Sequence, residues 1–232
     1  MKNRVLLGEL IAEYLGSMFL VMAAISSMIL FCTVFDSTKS IAVVANALAV
    51  AFVLFALIEM FAPVSGAHFN PVVTMVMFFN KKISRLKALL YVAVQIIGGI
   101  TGAIFSHLMF FEKVSGLLSV SQIVRTNYLY FSEVLATFIL VLAILVLVRV
   151  KSDKIPLVVG FLVGGQLLAT SSTMFANPQV TIARIFTDSA AGIRPEDAAV
   201  FIIMQIIGAT LAYLVYKHAL EKSIDQKMKE AN

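Results

Sequence analysis

The chain has 232 residues, 60% of them hydrophobic and 13% charged, with a mean hydropathy of +0.97. So few charges cannot cover a water-soluble domain of this size, and the composition selects a membrane protein. The formal charge of +5 is spread in short clusters between apolar runs, which fits membrane topology and not a basic face for nucleic acid.

A hydrocarbon core of about 30 Å needs roughly 20 apolar residues per helix. The first candidate span is Val5–Phe35, where Lys2 and Arg4 precede an apolar run that is long enough to cross and lacks a clear cleavage site. It carries Glu13, a carboxyl that is costly at membrane depth unless it is paired or functional. The second, Ser40–Ala62, contains Val50 and ends near Glu59, expected to snorkel or line a mouth. Next comes His68–Phe79, apolar but too short to span. Asn70 suits an N-cap and Pro71 the first helical position, so the segment predicts a re-entrant half-helix.

Leu86–Phe111 is the third span. The fourth, Tyr128–Val150, carries a second intramembrane carboxyl, Glu133. Ile155–Met174 is the fifth, with Pro156 in its first turn and Gly165 and Met174 further along. Asn177–Thr187 repeats the short apolar pattern with Asn177-Pro178 at its start. Pro195–His218 is the sixth span, and residues 219–232 form a polar tail of mixed charge, expected to be a solvated helical end.

With both termini cytoplasmic, Lys2, Arg4, Lys81, Lys82, Arg85, Lys87, Arg149, Lys151, Lys154, Lys217, Lys222, Lys227 and Lys229 share one side. These are 13 of the 18 cationic residues, an asymmetry that predicts an even number of spans with N and C termini inside.

The chain also resembles itself. Ala12-Glu13-Tyr14-Leu15 returns as Ser132-Glu133-Val134-Leu135. Gln95-Ile96-Ile97-Gly98-Gly99 returns as Gln205-Ile206-Ile207-Gly208-Ala209, and Asn70-Pro71 as Asn177-Pro178. Three matches in one order divide a single membrane domain, residues 1–232, into repeats of approximately 5–111 and 126–218. Each repeat holds three spans, so the second enters the membrane inverted, and such repeats place a solute path at their interface. The pairs Gly98/Gly102, Gly160/Gly164 and Gly208/Ala212 are small-residue spacings for close helix crossing. His68, His107 and His218 are far apart and Cys32 is alone, which points to neither a metal cluster nor an internal disulfide. No nucleophile–base pair suggests an enzyme.

The segment Ser65-Gly66-Ala67-His68-Phe69-Asn70-Pro71-Val72-Val73-Thr74 resembles the first signature loop of the aquaporin and aquaglyceroporin (major intrinsic protein) family, and the likeness extends to the spacing of all six helices. The resemblance implies an all-α membrane protein with six transmembrane helices and two re-entrant half-helices in an inverted 3+3 repeat. It implies a homotetramer of independent pores in the cell membrane, no cofactor, and a bilayer, water and small neutral solutes as partners. Both motif asparagines would donate hydrogen bonds to a passing solute, and the opposed half-helix dipoles would disfavour cations. Glu13 and Glu133 would hold the backbone of the two loops, with a titrating proton relay as the alternative.

Two departures matter. The third motif positions are Val72 and Gln179 where the family has alanine, and Val180 stands where relatives usually carry the filter arginine. Arg184 follows one turn later, expected at the mouth or paired with Asp188. Family spacing places the remaining filter positions at Val50, Gly165 and Met174, which with Val180 make a wide, apolar constriction. His68 is expected to line the cytoplasmic vestibule passively, with a pH gate as the alternative. The expected function is passive conduction of glycerol, urea or undissociated metalloid acids together with water. The segment Asn-Pro-x-Val-Thr-x-Ala-Arg also resembles a divergent bacterial branch associated with arsenic handling, which would add arsenite and methylated arsenicals. A water-selective pore, an ion leak and a closed structural protein on the same fold are the competing expectations.

Overall fold

The computed structural model describes residues 2–230. Met1, Ala231 and Asn232, the ends of the expected domain and tail, lie outside the described residues, as do the side chains of Lys2 and Asn3. No strand occurs among the described residues. The helices are α1 (Lys2–Met28, running on as a π-helical turn over Ile29–Val34), α2 (Lys39–Ser65), α3 (Pro71–Phe79), α4 (Arg85–Met109) and α5 (Tyr128–Arg149). They continue with α6 (Ile155–Ala169), α7 (Pro178–Arg184), α8 (Pro195–Val215) and, after a π-helical turn, α9 (Glu221–Glu230).

Local chemistry fixes several of these boundaries. Thr38 caps α2 by accepting the Ile41 N–H at 3.4 Å, and Ser84 caps α4 by accepting that of Lys87 at 3.3 Å. Prolines open α3, α7 and α8 and occupy the first turn of α6, where a missing N–H costs nothing. At the end of α2, Gly66 adopts φ 88°, a left-handed stop that returns its N–H to Ala62 O at 3.1 Å.

Five helices are long and apolar enough to cross a membrane, and α6 is a shorter apolar one. The fifth expected span therefore ends at Ala169 and not at Met174. The chain turns there because Thr170 bonds back to Gln166 and the following residues leave the helix, Thr173, Met174 and Ala176 all with positive φ. The tail from Glu221 is helical, as expected, and Arg149 pairs with its Asp225 at 2.5 Å.

The halves are assembled alike. α4 lies against α1 where Gly98 faces the carbonyl of Tyr14 and Gly102 that of Met18, and α8 lies against α5 where Gly208 faces the carbonyl of Val134. A Cβ at Gly98, Gly102 or Gly208 would collide with backbone, so the small-residue spacings serve as crossing points. Gly160 and Gly164 do the same between α6 and α2, one of the contacts that join the two halves.

Candidate functional site

The two half-helices start at the asparagines and are tied to each other across the interface of the repeats. Asn70 Oδ1 accepts the N–H of Val72 at 3.0 Å, and Asn177 Oδ1 accepts that of Gln179 at 3.1 Å. Their amide nitrogens cross over: Asn70 Nδ2 donates to Ala176 O at 2.9 Å and Asn177 Nδ2 to Phe69 O at 2.8 Å. An amide nitrogen carries two hydrogens. The second of each has no partner among the described residues, and both asparagines line one cavity.

The loops before the half-helices carry unusual backbone, with positive φ at Gly66, Ala67 and Phe69 in the first and Thr173, Met174 and Ala176 in the second. Such backbone at membrane depth exposes N–H groups that need acceptors. Glu13 supplies them in the first half: it accepts from Ser65 Oγ (2.6 Å), His68 N (2.9 Å), Phe69 N (2.8 Å) and Gln95 Nε2 (2.7 Å). Glu133 repeats the pattern with Ser172 Oγ (2.6 Å), Phe175 N (2.9 Å), Ala176 N (2.8 Å) and Gln205 Nε2 (2.6 Å). Each glutamine then donates to the threonine of its half-helix, Gln95 to Thr74 and Gln205 to Thr181. The repeated Gln-Ile-Ile-Gly segments mark these glutamines in the sequence as a repeat but not as partners of the glutamates.

The cavity has a volume of about 630 Å³. At one mouth stand Glu9, Glu59, Lys82, Lys87 and Asp153, on the side where α9 meets Arg149. The path continues past His68, whose Nδ1 sits 3.0 Å from Thr74 Oγ1, and past the two asparagines. It reaches Val50, Met174 and Val180, each nine-tenths buried or more and each lining the wall, then Asn46 and Arg184 toward the opposite mouth. Most of the lining between the mouths is aliphatic, from Leu20 and Ala24 of α1, Leu54 of α2 and Leu140 of α5.

Not every expected position lies on this path. Gly165 does not line the cavity: it is exposed, and nothing stands within 4 Å of where its Cβ would be. The lining residues of α6 are Ile155 and Pro156 at its start, then Val159, Val163 and Leu167 at helical spacing on one face, and Gly165 falls on the other. Counting back twelve residues from Asn177 crosses the irregular segment after Ala169, which does not keep helical phase. Val163 and Leu167, two residues to either side of Gly165, line the cavity where Gly165 does not. Of the motif residues, Pro71, Val72, Pro178 and Gln179 are also off the cavity wall. Gln179 is fully buried against Gly99 of α4 and donates to Phe69 O at 3.2 Å.

Arg184 does not bond Asp188. Its Nε donates to Ala191 O at 2.6 Å and its guanidinium lies 3.9 Å from the centre of the Phe175 ring, still on the cavity wall. Arg125, from the connection between α4 and α5, stands over the same ring at 4.8 Å and donates to the carbonyls of Gly192, Ser172 and Ala190. Burial draws the Arg125 guanidinium down from its ordinary value to about 10, so it is charged at neutral pH. Asn46 and Phe175 are among the pore-lining residues that sequence spacing misses. Asn46 lies four residues before Val50 on the same helical face, a signal that was available.

Crossing apolar helices, two re-entrant half-helices and a continuous lined cavity define a membrane channel. The Major intrinsic protein family matches over residues 1–175, ending two residues before Asn177. The chain is 36% identical over 212 residues, 91% of its length and 89% of the relative's, to the Aquaglyceroporin AqpS of Rhizobium meliloti (strain 1021). It is 31% identical over 176 residues, 73% of this chain and 66% of the other, to the Aquaglyceroporin of Toxoplasma gondii. The X-ray structure of the aquaglyceroporin from Plasmodium falciparum shares the fold, with a TM-score of 0.74 over 95% of this chain and 99% of that one, at 20% identity. The chain belongs to the major intrinsic protein family: it is a passive membrane channel for small solutes, and not an enzyme.

Proposed function

We propose that the channel conducts neutral solutes larger than water, of the glycerol, urea and undissociated metalloid acid type, through a constriction formed by Val50, Met174 and Val180. The observation that carries this reading is Val180: it lines the cavity at the position directly after the second motif, where relatives usually present an arginine. A valine there leaves a wider and more apolar passage, and the asparagine amides at the junction of the half-helices keep one free N–H each to guide a hydroxyl or carbonyl oxygen through it. The names of the two curated relatives, both aquaglyceroporins, support the same solute class. The likeness of the second loop to an arsenic-associated branch adds arsenite and methylated arsenicals to the solutes worth presenting. Glu13 and Glu133 act as loop supports in this account, and His68 as a lining residue.

The protein works as a homotetramer in the cell membrane with both termini cytoplasmic, and residues 1–232 act as one channel domain with repeats near 5–111 and 126–218. Clustering of Lys82 and Lys87 at the mouth nearest the chain ends supports that orientation. Swelling of proteoliposomes in glycerol and urea gradients tests the solute class; rates no faster than in protein-free vesicles contradict it. One observation favours a water-selective pore instead: the Arg184 guanidinium reaches the cavity wall, one turn further out than the usual position. Rapid water flux with no glycerol flux would decide for that reading.

A further inference from the structure

Two polar side chains on the cavity wall are buried, rigidly held and incompletely satisfied. Both lie on the same side of the apolar ring. Asn46 is 4% exposed and donates through Nδ2 to Ala24 O at 2.9 Å and to Ser27 Oγ at 2.8 Å. Ala24 O can only accept, so the amide nitrogen must face α1 and Oδ1 is the atom left over. Oδ1 has no partner among the described residues, and Asn46 lines the cavity.

Arg184 is 3% exposed. Only its Nε is bonded, to Ala191 O at 2.6 Å, and the four N–H donors of its two terminal nitrogens meet no acceptor among the described residues. The side chain has little freedom to move away. Phe175 lies against its guanidinium at 3.9 Å, and Phe175 is in turn held under Arg125 at 4.8 Å. A buried charged donor with no acceptor is costly, and the cost falls only if something in the cavity accepts from it.

The two residues share a level. α2 runs toward the mouth at Glu59, so Asn46 lies four residues from Val50 in the opposite direction, and Arg184 lies four residues beyond Val180, away from Asn177. Four residues of helix rise about 6 Å. Both polar groups therefore stand roughly one turn outside the Val50–Met174–Val180 ring.

We propose that Asn46 and Arg184 form a solute-binding station one turn outside the apolar ring, taking small neutral solutes that carry a hydroxyl donor for Asn46 Oδ1 and an oxygen acceptor for Arg184. Polyols and undissociated oxyacids are the class with that pairing. The station rests on the reading of the pore as a glycerol-type channel. It also provides the fixed positive charge that position 180 lacks, so cations meet a desolvated guanidinium before they meet the apolar ring. Polar selection and narrowing, combined where the arginine sits in the ring itself, occupy successive levels here.

The test compares wild type, N46L, R184M and R184K in proteoliposomes, with glycerol and water fluxes read by stopped-flow light scattering and potassium leak read with a potential-sensitive dye. N46L is expected to lower the glycerol-to-water permeability ratio by about fivefold, the worth of one hydrogen bond of about 1 kcal/mol. R184M should lower the ratio and admit potassium. R184K, which keeps the charge but loses the fork, should lower the ratio while still excluding potassium. N46S withdraws the acceptor from the wall with a smaller change in volume; it is read in place of N46L if that variant does not assemble, and the same direction is expected. A ratio within about twofold of wild type in the asparagine variant that assembles, with no potassium leak in R184M, overturns the station while wild-type glycerol flux upholds the reading beneath it. Wild-type vesicles that pass water but no glycerol overturn both.

Discussion

The first and second re-entrant loops share their glutamate, capping and cross-loop hydrogen bonds, apart from the extra bond of Gln179 to Phe69 O, and their lining differs one turn beyond the third residue after each asparagine. Glu13 and Glu133 hold them through equivalent sets of acceptor contacts, Asn70 and Asn177 cross-link them, and Val73 and Val180 then present the same aliphatic side chain to the cavity. Four residues further on, the first half-helix places Met77 on the cavity wall and the second places Arg184. The frame that holds a non-helical backbone at membrane depth must satisfy the same N–H groups in both halves, so it tolerates little divergence. The lining beyond that frame meets opposite mouths and is free to differ, and discrimination between solutes resides in that freedom.

Removing a buried carboxylate should have the largest effect and should be equal in the two halves. E13A and E133A each strand two backbone N–H groups and two side-chain donors, at about 1–3 kcal/mol per stranded group. Both variants should fail to assemble, or lose about 10 °C or more of thermal midpoint in detergent. A large loss in one half with tolerance in the other would break the equivalence of the frames.

Changing the lining should separate the halves. V180R places a guanidinium in the apolar ring, and glycerol flux is expected to fall by about tenfold or more, with water suppressed less. An unchanged solute profile would remove Val180 from the constriction. A smaller effect is expected at the junction. N70A and N177A each delete one cross-loop hydrogen bond and the N-cap bond of a half-helix, each worth about 1 kcal/mol, and one free N–H on the path, so several degrees of thermal midpoint and part of the solute flux should be lost to a similar extent in both. The least effect belongs to Q179A. Gln179 is off the cavity wall, its Oε1 is unpartnered, and its one hydrogen bond is 3.2 Å long, so alanine should leave the glycerol-to-water ratio unaltered. A shifted ratio would mean that the third motif position controls the path.

The comparison also shows what sequence patterns can carry. The Asn-Pro pairs are legible because an N-cap followed by a first-turn proline is a local signal, and Asn70 and Asn177 cap their half-helices as that signal requires. Glu13 and Glu133 stand out because a carboxyl in an apolar run needs a reason. Gly165 misleads because its placement depends on counting through Thr170–Asn177, where positive φ at Thr173, Met174 and Ala176 resets the direction of the chain. The direction of Arg184 is a tertiary property. It is fixed by Ala191, seven residues on, and by Phe175 from the other side of the loop, and no periodicity reports either contact.

Glycerol flux through the unmodified protein tests the central claim most directly. Purified channel in proteoliposomes, placed in an inward glycerol gradient and followed by stopped-flow light scattering, should swell clearly faster than protein-free vesicles. Osmotic water flux with glycerol swelling at the protein-free rate would contradict a wide pore for neutral solutes at Val50, Met174 and Val180.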